Sequence, residues 1–518
     1  MRRLLLAALL AFAAFTHLWG VRRDLPHAPH SDEVRFFLIA AQMATAGDPD
    51  PHWFGHPGST LLYPYALGLH ALGATESGSW LSADPALADR FAQSPTAPFV
   101  VGRVLSIAYA LLSLVVVCAI GDRVFGPPVG LVGAWLSLLS PLALDHAMMV
   151  RTDTAGLFFG VLGLWACVRL LDRPTRAAHA VAGLVIGFGV ATRYFLVALV
   201  PVLLTVDAAL LLRRRSTDTS RAEGERPSAL LLGLVAIPIG FLLAAPYLVT
   251  DIARVQADLA HEARTSHPGA DGFGFFGNLA WYFGYAMPRA LSPVVLVLAA
   301  GCALLSAWRR NLGALLLLEF VAIFLIGISI SPLHWARWLI QILPLIALLG
   351  AAALVAVVNA VALRLGLADG RARGLAVAAA VAAVSTMPAL RYLDFALLQG
   401  APSTKQIARD WARENLDPSE PIAAELYSAP LQDTPLAPRY AFSLTEMAET
   451  PEALQQAGFE IAMVSSSVYG RYLSEPARYP REVAFYRKLF RKGQLVEQFA
   501  PGTERRGPVI RIYRLRSG

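Results

Sequence analysis

Two adjacent carboxylates, Asp32 and Glu33, stand just after the first apolar run of the sequence, where few other charges occur. A carboxylate at a membrane surface can act as a general base and take a proton from an attacking group. The same residues also suit a helix start, because Ser31 or Asp32 can cap the first turn and Glu33 can lie within it. The sequence thus leaves a catalytic and a capping interpretation open.

Arginines mark two later segments that follow apolar runs, in which Arg151 precedes Asp153 by two residues and His334 precedes Arg337 by three. A guanidinium holds a phosphate group well, because it offers several donors in a planar fork. The alternatives are a simple salt bridge between Arg151 and Asp153, and an arginine that only anchors a helix at the membrane interface. Both segments fall on the same predicted side of the membrane as Asp32.

His52 and His56 are four residues apart, a spacing that suits a metal ion when both lie on one helix. Gly55 and Pro57 disfavour a helix at this point, so a divalent metal gains little support and metal dependence stays open. The three cysteines lie within apolar runs, and no two of them have the spacing of metal ligands.

The composition predicts an integral membrane protein. Hydrophobic residues make up 56% of the 518 residues and charged residues 16%, and the mean hydropathy is +0.52. The formal charge of +7 comes with short basic clusters between apolar runs, such as Arg213–Arg215. Clusters of this kind orient membrane helices, and no basic-aromatic surface typical of nucleic-acid binding is apparent.

Apolar runs of about 20 residues predict an all-α polytopic protein with about 11 transmembrane helices. The weakest pair surrounds Thr192-Arg193-Tyr194, where a tight hairpin and one bent segment are both open. The expected spans are 4–20, 100–120, 128–146, 154–171, 180–193, 196–212, 229–248, 291–307, 312–331, 338–358 and 374–390.

Basic loops set the expected orientation, with the N-terminus in the cytoplasm of a bacterial cell and the protein in its inner membrane. The first run is expected to be a retained span rather than a cleaved signal peptide. The periplasmic side then receives the loop 21–98, the segment 249–290 and the chain after about 391. The predicted domains are a transmembrane domain, 1–395, and a periplasmic α/β domain, 396–518.

Mixed periodicities in the tail predict this small α/β domain. Buried or half-buried strands are expected near 421–424, 459–464 and 509–515, and helices over 404–415 and 483–493.

The ordered set of motifs resembles the membrane glycosyltransferases of the GT-C fold, above all glycosyltransferase family 39, which contains dolichyl-phosphate-mannose protein mannosyltransferases and aminoarabinose transferases. The resemblance covers residues 1–390 in order and topology. Many members have Pro-Pro where this chain has Pro57-Gly58. The motif residues are Asp32-Glu33, Gly47-Asp48, His56-Pro57-Gly58 leading into Leu61-Leu62-Tyr63-Pro64-Tyr65, Arg151 with Asp153, and His334-x-x-Arg337-Trp338-Leu339 before Leu343-Pro344-Leu345.

The resemblance implies an inverting transfer of a sugar from a polyprenyl-phosphate donor to an acceptor outside the cytoplasm. Asp32 would be the general base, and Glu33 would position the acceptor or orient neighbouring groups. The remaining roles are a phosphate clamp at Arg337 with His334 and Arg193 as alternatives, support of Asp32 or contact with the sugar by Arg151 and Asp153, and an acceptor path along His56 and Tyr63.

Neither the sugar nor the acceptor, which could be a protein, a lipid or a glycan, follows from the sequence. No glycine-rich nucleotide loop is apparent, which agrees with a lipid-carried sugar and with no certain cofactor. A transporter or flippase of lipid-linked intermediates is the first alternative, and it would need ionisable residues within spans, where Asp207 and Glu319 are the main examples. A membrane scaffold is the second alternative.

Overall fold

Helices dominate the computed structural model, which describes residues 1–27, 30–55, 58–73, 89, 91, 93–215, 226–367 and 369–515. The chain divides into two compact units, each assembled from three stretches. The membrane unit comprises Met1–Val21, Ser31–Thr265 and Gly272–Ala396, and the tail unit comprises Arg22–His30, Ser266–Asp271 and Leu397–Gly518.

The first unit is helical in the part of it that the structure describes. Short 3-10 helices, Tyr194–Ala198, Pro246–Val249 and Ala336–Gln341, interrupt the series, and a π-helix covers Tyr282–Ala286. The α-helices are, in chain order, α1 (Arg2–Trp19), α2 (Ser31–Ala46), α3 (Ser59–Gly73), α4 (Thr96–Phe125), α5 (Val129–Leu138), α6 (Pro141–Ala147), α7 (Thr152–Leu170), α8 (Arg176–Thr192), α9 (Leu199–Arg215), α10 (Arg226–Ala244), α11 (Ile252–Glu262), α12 (Gly274–Trp281), α13 (Met287–Ala290), α14 (Pro293–Trp308), α15 (Leu312–Ile330), α16 (Leu343–Arg364) and α17 (Gly370–Leu398).

Among the described residues, seven helices are long and apolar enough to cross a membrane, or nine if each of two bent pairs forms one span. One pair, α5 with α6, bends by 71°, and the other, Gly274–Ala290 with α14, bends by 120°. Arg176–Thr192 and Ala229–Ala244 are apolar but shorter. The expected polytopic α-helical fold is confirmed, while the number of eleven spans stays a prediction.

The segment 249–290, expected between two spans on the periplasmic side, is mostly helical. It contains α11, α12, the π-helix and α13. Asp251 caps α11 by accepting a hydrogen bond from the backbone N–H of Arg254 at 3.0 Å. A search for apolar spans passes over such a helix, because one side of it is polar.

Close backbone contact holds the middle of α8 against α10, and the end of α8 leads into the candidate site. A Cβ on Gly183 would lie 2.0 Å from the carbonyl oxygen of Gly233 on α10, so only a glycine fits there. Small residues allow helices in a membrane to approach closely and gain van der Waals contact. The helix then ends at Thr192, and Arg193 stands in extended backbone before the next 3-10 turn.

The tail unit contains a five-stranded sheet in the order β2-β1-β3-β5-β4, which confirms the α/β expectation. β1 pairs in parallel with β2 and β3, and β5 pairs antiparallel with β3 and β4. Ser403 begins the first helix of the unit with a complete capping box. The elements are α18 (Thr404–Asn415), β1 (Ile422–Glu425), β2 (Pro438–Ala441), α19 (Pro451–Gln456), β3 (Ile461–Ser465), α20 (Ser466–Ser474), α21 (Pro480–Lys492), β4 (Gln494–Phe499) and β5 (Ile510–Arg514).

Candidate active site

Five charged residues from distant parts of the membrane unit come together in one group, called here the arginine cluster. Each stands at the start of a helix or in a break between helices, where side chains are not used for packing along a span. The members are Asp32 in the first turn of α2, Arg151 and Asp153 at the start of α7, Arg193 after α8, and Arg337 in the 3-10 helix before α16.

Asp153 is the buried centre of the cluster, with 2% of its side chain exposed. Its Oδ2 lies 3.2 Å from Arg151 Nε and 3.4 Å from His146 Nδ1, and its Oδ1 pairs with Arg193 Nη1. A carboxylate whose two oxygens both pair with cations holds those cations in position, and it has little remaining capacity to accept hydrogen bonds from a ligand. Asp153 therefore organises the cluster.

Asp32 is the accessible carboxylate of the cluster, with 40% of its side chain exposed. Its Oδ2 lies 2.9 Å from Arg151 Nη1 and 3.7 Å from Arg337 Nη1. Arg151 thus bridges Asp32 to the buried Asp153. Asp32 lies in the first turn of α2 and also faces the arginines.

Glu33 points elsewhere and forms a buried ion pair with Arg103, in which each side chain is 1% exposed. Arg103 Nε and Nη2 each donate to a Glu33 oxygen at 2.8 Å, and the backbone N–H of Val150 donates to Oε2 at 3.0 Å. Contact with an acceptor does not fit this burial, and the orienting role does, since Glu33 fixes the turn just before Arg151.

Arg337 lies at the edge of the cluster. Its guanidinium carbon stands 4.4 Å from the centre of the Trp335 ring, which orients the side chain through a cation–π contact. Burial, followed by the neighbouring charge of Arg151, lowers the pKa of Arg337 to about 10, so the side chain stays charged at neutral pH. Its contact with Asp32 is longer than that of Arg151.

Two of the expected site residues have other surroundings. The buried ring of His334 stacks on Phe273 at 4.9 Å and lies 4.2 Å from the Trp281 ring. Tyr63 packs beside the buried apolar residues of α2 and α3. His56 lies outside the described residues.

Residues that sequence reasoning missed complete the cluster. His146 contacts Asp153, and Gln341 donates from Nε2 to the backbone carbonyl of Asp153 at 3.0 Å. Arg103 stands inside the apolar helix α4. A charge within a span is a signal of function or of a buried partner, and that signal could have identified Arg103.

A metal site finds no support in the part of the chain that the structure describes, where no group of three or more His, Cys, Asp or Glu residues could hold a metal ion. His52 instead faces carboxylates of its own loop, with Nε2 2.9 Å from Asp48 Oδ2.

Comparisons of the sequence and of the fold with known proteins found one matching family model and several similar solved structures. Residues 96–246 match the family model described as dolichyl-phosphate-mannose-protein mannosyltransferase. No curated protein matches the sequence significantly. Solved structures match along nearly the whole chain.

One such structure is the oligosaccharyltransferase AglB of Archaeoglobus fulgidus in complex with an inhibitory peptide and a dolichol-phosphate. It is 14% identical with a TM-score of 0.53, and the match covers 96% of this chain and 73% of that chain. ArnT from Cupriavidus metallidurans in the apo state is 16% identical with a TM-score of 0.52, and the match covers 98% of this chain and 97% of that chain. ArnT bound to undecaprenyl phosphate is 15% identical with a TM-score of 0.50 and the same coverage.

These likenesses confirm the GT-C fold expected from the motifs. The chain is a multi-pass membrane protein, and the family match together with the fold relates it to membrane glycosyltransferases.

Proposed function

We propose that this chain is an inverting glycosyltransferase that moves a sugar from a polyprenyl-phosphate donor to an acceptor outside the cytoplasm. The observation that carries the proposal is the arginine cluster, in which the accessible carboxylate of Asp32 lies beside two of the three guanidinium groups, those of Arg151 and Arg337. Two of the structural relatives were solved with a lipid phosphate, dolichol-phosphate in AglB and undecaprenyl phosphate in ArnT, which supports a donor of this class. The charge distribution supports a cytoplasmic N-terminus and a periplasmic tail in a bacterial inner membrane.

The reaction needs a base on one side of the sugar and cations on the other. An acceptor hydroxyl or amine attacks the anomeric carbon while Asp32 takes its proton. The bond between that carbon and the phosphate oxygen breaks on the opposite face, so the configuration inverts. The electron pair stays on the phosphate, which is already a stable anion and needs a cation rather than a second acid.

The contacts distribute the arginines between two tasks. Arg151 and Arg193 are committed to the buried Asp153. Among the ion pairs of the described cluster residues, that of Arg337 with Asp32 is the longest at 3.7 Å, so Arg337 is the arginine that can turn to an incoming phosphate with the smallest loss. We therefore assign the phosphate clamp to Arg337, supported by the other two.

A transporter, the main alternative, would use ionisable residues within spans. Asp207 pairs with His179 at 3.1 Å, and Glu319 accepts a hydrogen bond from Thr205 at 2.7 Å. These contacts give both carboxylates partners inside the helix bundle, whereas the accessible charge lies in the arginine cluster.

The activity is tested with purified protein in liposomes, a panel of polyprenyl-phosphate sugars and a membrane extract as the source of acceptor. The expected result is transfer from one donor with release of polyprenyl phosphate, and no transfer from nucleotide sugars. Movement of intact donor across the bilayer without release of the lipid phosphate would instead support the transporter.

Arg337→Gln should weaken the binding of polyprenyl phosphate by roughly tenfold to a hundredfold, since a hydrogen bond to a charged group contributes about 1.5–3 kcal/mol. Arg337→Lys should recover part of the loss, because it restores the charge without the planar fork. Titration of the purified variants with the lipid measures both. Arg254→Gln, on an exposed arginine of α11, is the control, and wild-type affinity in Arg337→Gln would show that another cation holds the phosphate.

Gly156→Ala should disturb the cluster without changing any charge. A Cβ at Gly156 would lie 2.7 Å from Arg193 Cδ, so the arginine must move away from Asp153. We expect a loss of roughly tenfold in transfer rate, because about one charge-assisted contact is weakened. Gly301→Ala on α14, where a Cβ meets open space, is the matched control, and equal rates in both variants would contradict the assigned position of Arg193.

A further inference from the structure

A groove of about 380 Å³ lies on the membrane unit, away from the residues of the arginine cluster. It is formed by the junction of α5 and α6, the bend between α13 and α14, and the later half of α17. Its lining is mostly apolar and includes Leu136, Leu139, Leu291, Val294, Val384 and Met387.

Two arginines supply the charge of this groove. Arg289 donates to the carbonyl of Tyr285 at 3.1 Å, and its guanidinium carbon lies 3.6 Å from the centre of the Tyr285 ring. Arg391 comes from α17 on the facing side. Within the described ranges of the chain, neither arginine has a carboxylate in ion-pair distance. Two exposed guanidinium groups beside an apolar channel are complementary to an anionic headgroup with an apolar chain.

The start of α14 adds a third positive feature at the same place. Ser292 caps the helix by accepting a hydrogen bond from the Val295 N–H at 3.2 Å, and residues 291–295 line the groove. The first turn of a helix carries the positive end of the helix dipole, which favours a phosphate.

The helices on either side of the groove indicate that it opens toward the lipid bilayer and not toward water. α17 is long and apolar enough to span a membrane, and so is the bent pair that contains α14. Val294 and Met387 are exposed apolar residues of these elements. A groove that opens between two such helices meets bilayer lipid, and the most abundant anionic lipid fills it by mass action.

We propose that this groove binds an anionic phospholipid of the surrounding membrane, with an acyl chain along the apolar lining and the phosphate between Arg289 and Arg391. The site is separate from the proposed donor site, and the lipid is not consumed. It ties the bend before α14 to α17 through a molecule that is not part of the chain.

Full-length protein in neutral detergent, titrated with phosphatidylglycerol or phosphatidylcholine and followed by native mass spectrometry, tests the proposal. The double variant R289Q/R391Q should bind phosphatidylglycerol at least about tenfold more weakly and phosphatidylcholine as before. The double variant R309Q/R310Q removes the same charge at the opposite end of α14 and should behave as wild type.

Val384→Trp tests the apolar part of the groove, because the larger side chain fills the groove and should weaken the binding of both phospholipids.

Unchanged phosphatidylglycerol binding in R289Q/R391Q would overturn the proposal. So would displacement of the lipid by equimolar inorganic phosphate, which would indicate a simple anion site, or preferential displacement by polyprenyl phosphate, which would assign the groove to the donor lipid. None of these measurements depends on sugar transfer, so their failure is distinguishable from failure of the proposed function.

Discussion

Asp32→Asn should lower the rate of sugar transfer by roughly 10²- to 10⁴-fold, the contribution usual for a general base. Asparagine keeps the shape of the side chain but cannot take the acceptor's proton. The affinity for polyprenyl phosphate should stay equal or rise, because Arg151 and Arg337 lose a competing carboxylate. A transfer assay and a lipid titration on the same preparation measure the two quantities separately.

The pH dependence of the transfer rate distinguishes a general base at Asp32 from a purely structural role. The wild-type rate should fall on the acid side of the pH profile as the base is protonated, and Asp32→Asn should remove that limb. Asp394→Asn, on an exposed carboxylate of α17, is the matched control and should keep the wild-type profile. Wild-type transfer by Asp32→Asn would refute the assignment of the base.

Glu33→Gln should destabilise the protein by about 3–5 kcal/mol, the cost usual when one partner of a buried ion pair is removed. Arg103 is 1% exposed and would remain as an uncompensated charge inside the helix bundle. Transfer should also fall, because the Val150 contact that fixes the turn before Arg151 weakens. Thermal unfolding in detergent measures the first effect.

Two variants separate the ion pair from general damage. Glu33→Gln combined with Arg103→Met removes both charges and should recover much of the stability, because no uncompensated charge then stays buried. Arg35→Gln breaks the Arg35–Glu262 pair, in which Arg35 is 47% exposed, and should cost about 1 kcal/mol or less. Equal losses in Glu33→Gln and Arg35→Gln would contradict the buried-pair argument.

Local patterns in the sequence predicted the fold class and three of the five strands of the tail sheet. Apolar runs predict helices, and alternating or buried runs predict β1, β3 and β5, because both periodicities depend on neighbouring residues. The polar side of α11 and the π-helix before α13 gave no such signal. The helices within the segment 249–290 were therefore not predicted.

Pairing between distant side chains could be predicted only in part. The motifs nominated Asp32, Arg151, Asp153 and Arg337, and the structure brings them together. The resemblance gave Asp32 and Glu33 different roles, but the local pattern did not show that the two side chains point in different directions from the helix. Whether each carboxylate faces the arginine cluster or a buried arginine depends on Arg103 of α4 and on Arg151 just before α7, and no local pattern encodes these contacts.

The charge of the arginine cluster has a consequence for turnover. Three arginines against two carboxylates leave an excess of about one positive charge while His146 is neutral. A sugar-phosphate lipid is a phosphodiester with a single negative charge, whereas the monophosphate lipid left after transfer carries about −1.5 to −2 at neutral pH, by analogy with other phosphate monoesters. In the proposed transfer, the same cations would hold the spent carrier more tightly than the fresh donor, and we expect product inhibition by the released polyprenyl phosphate.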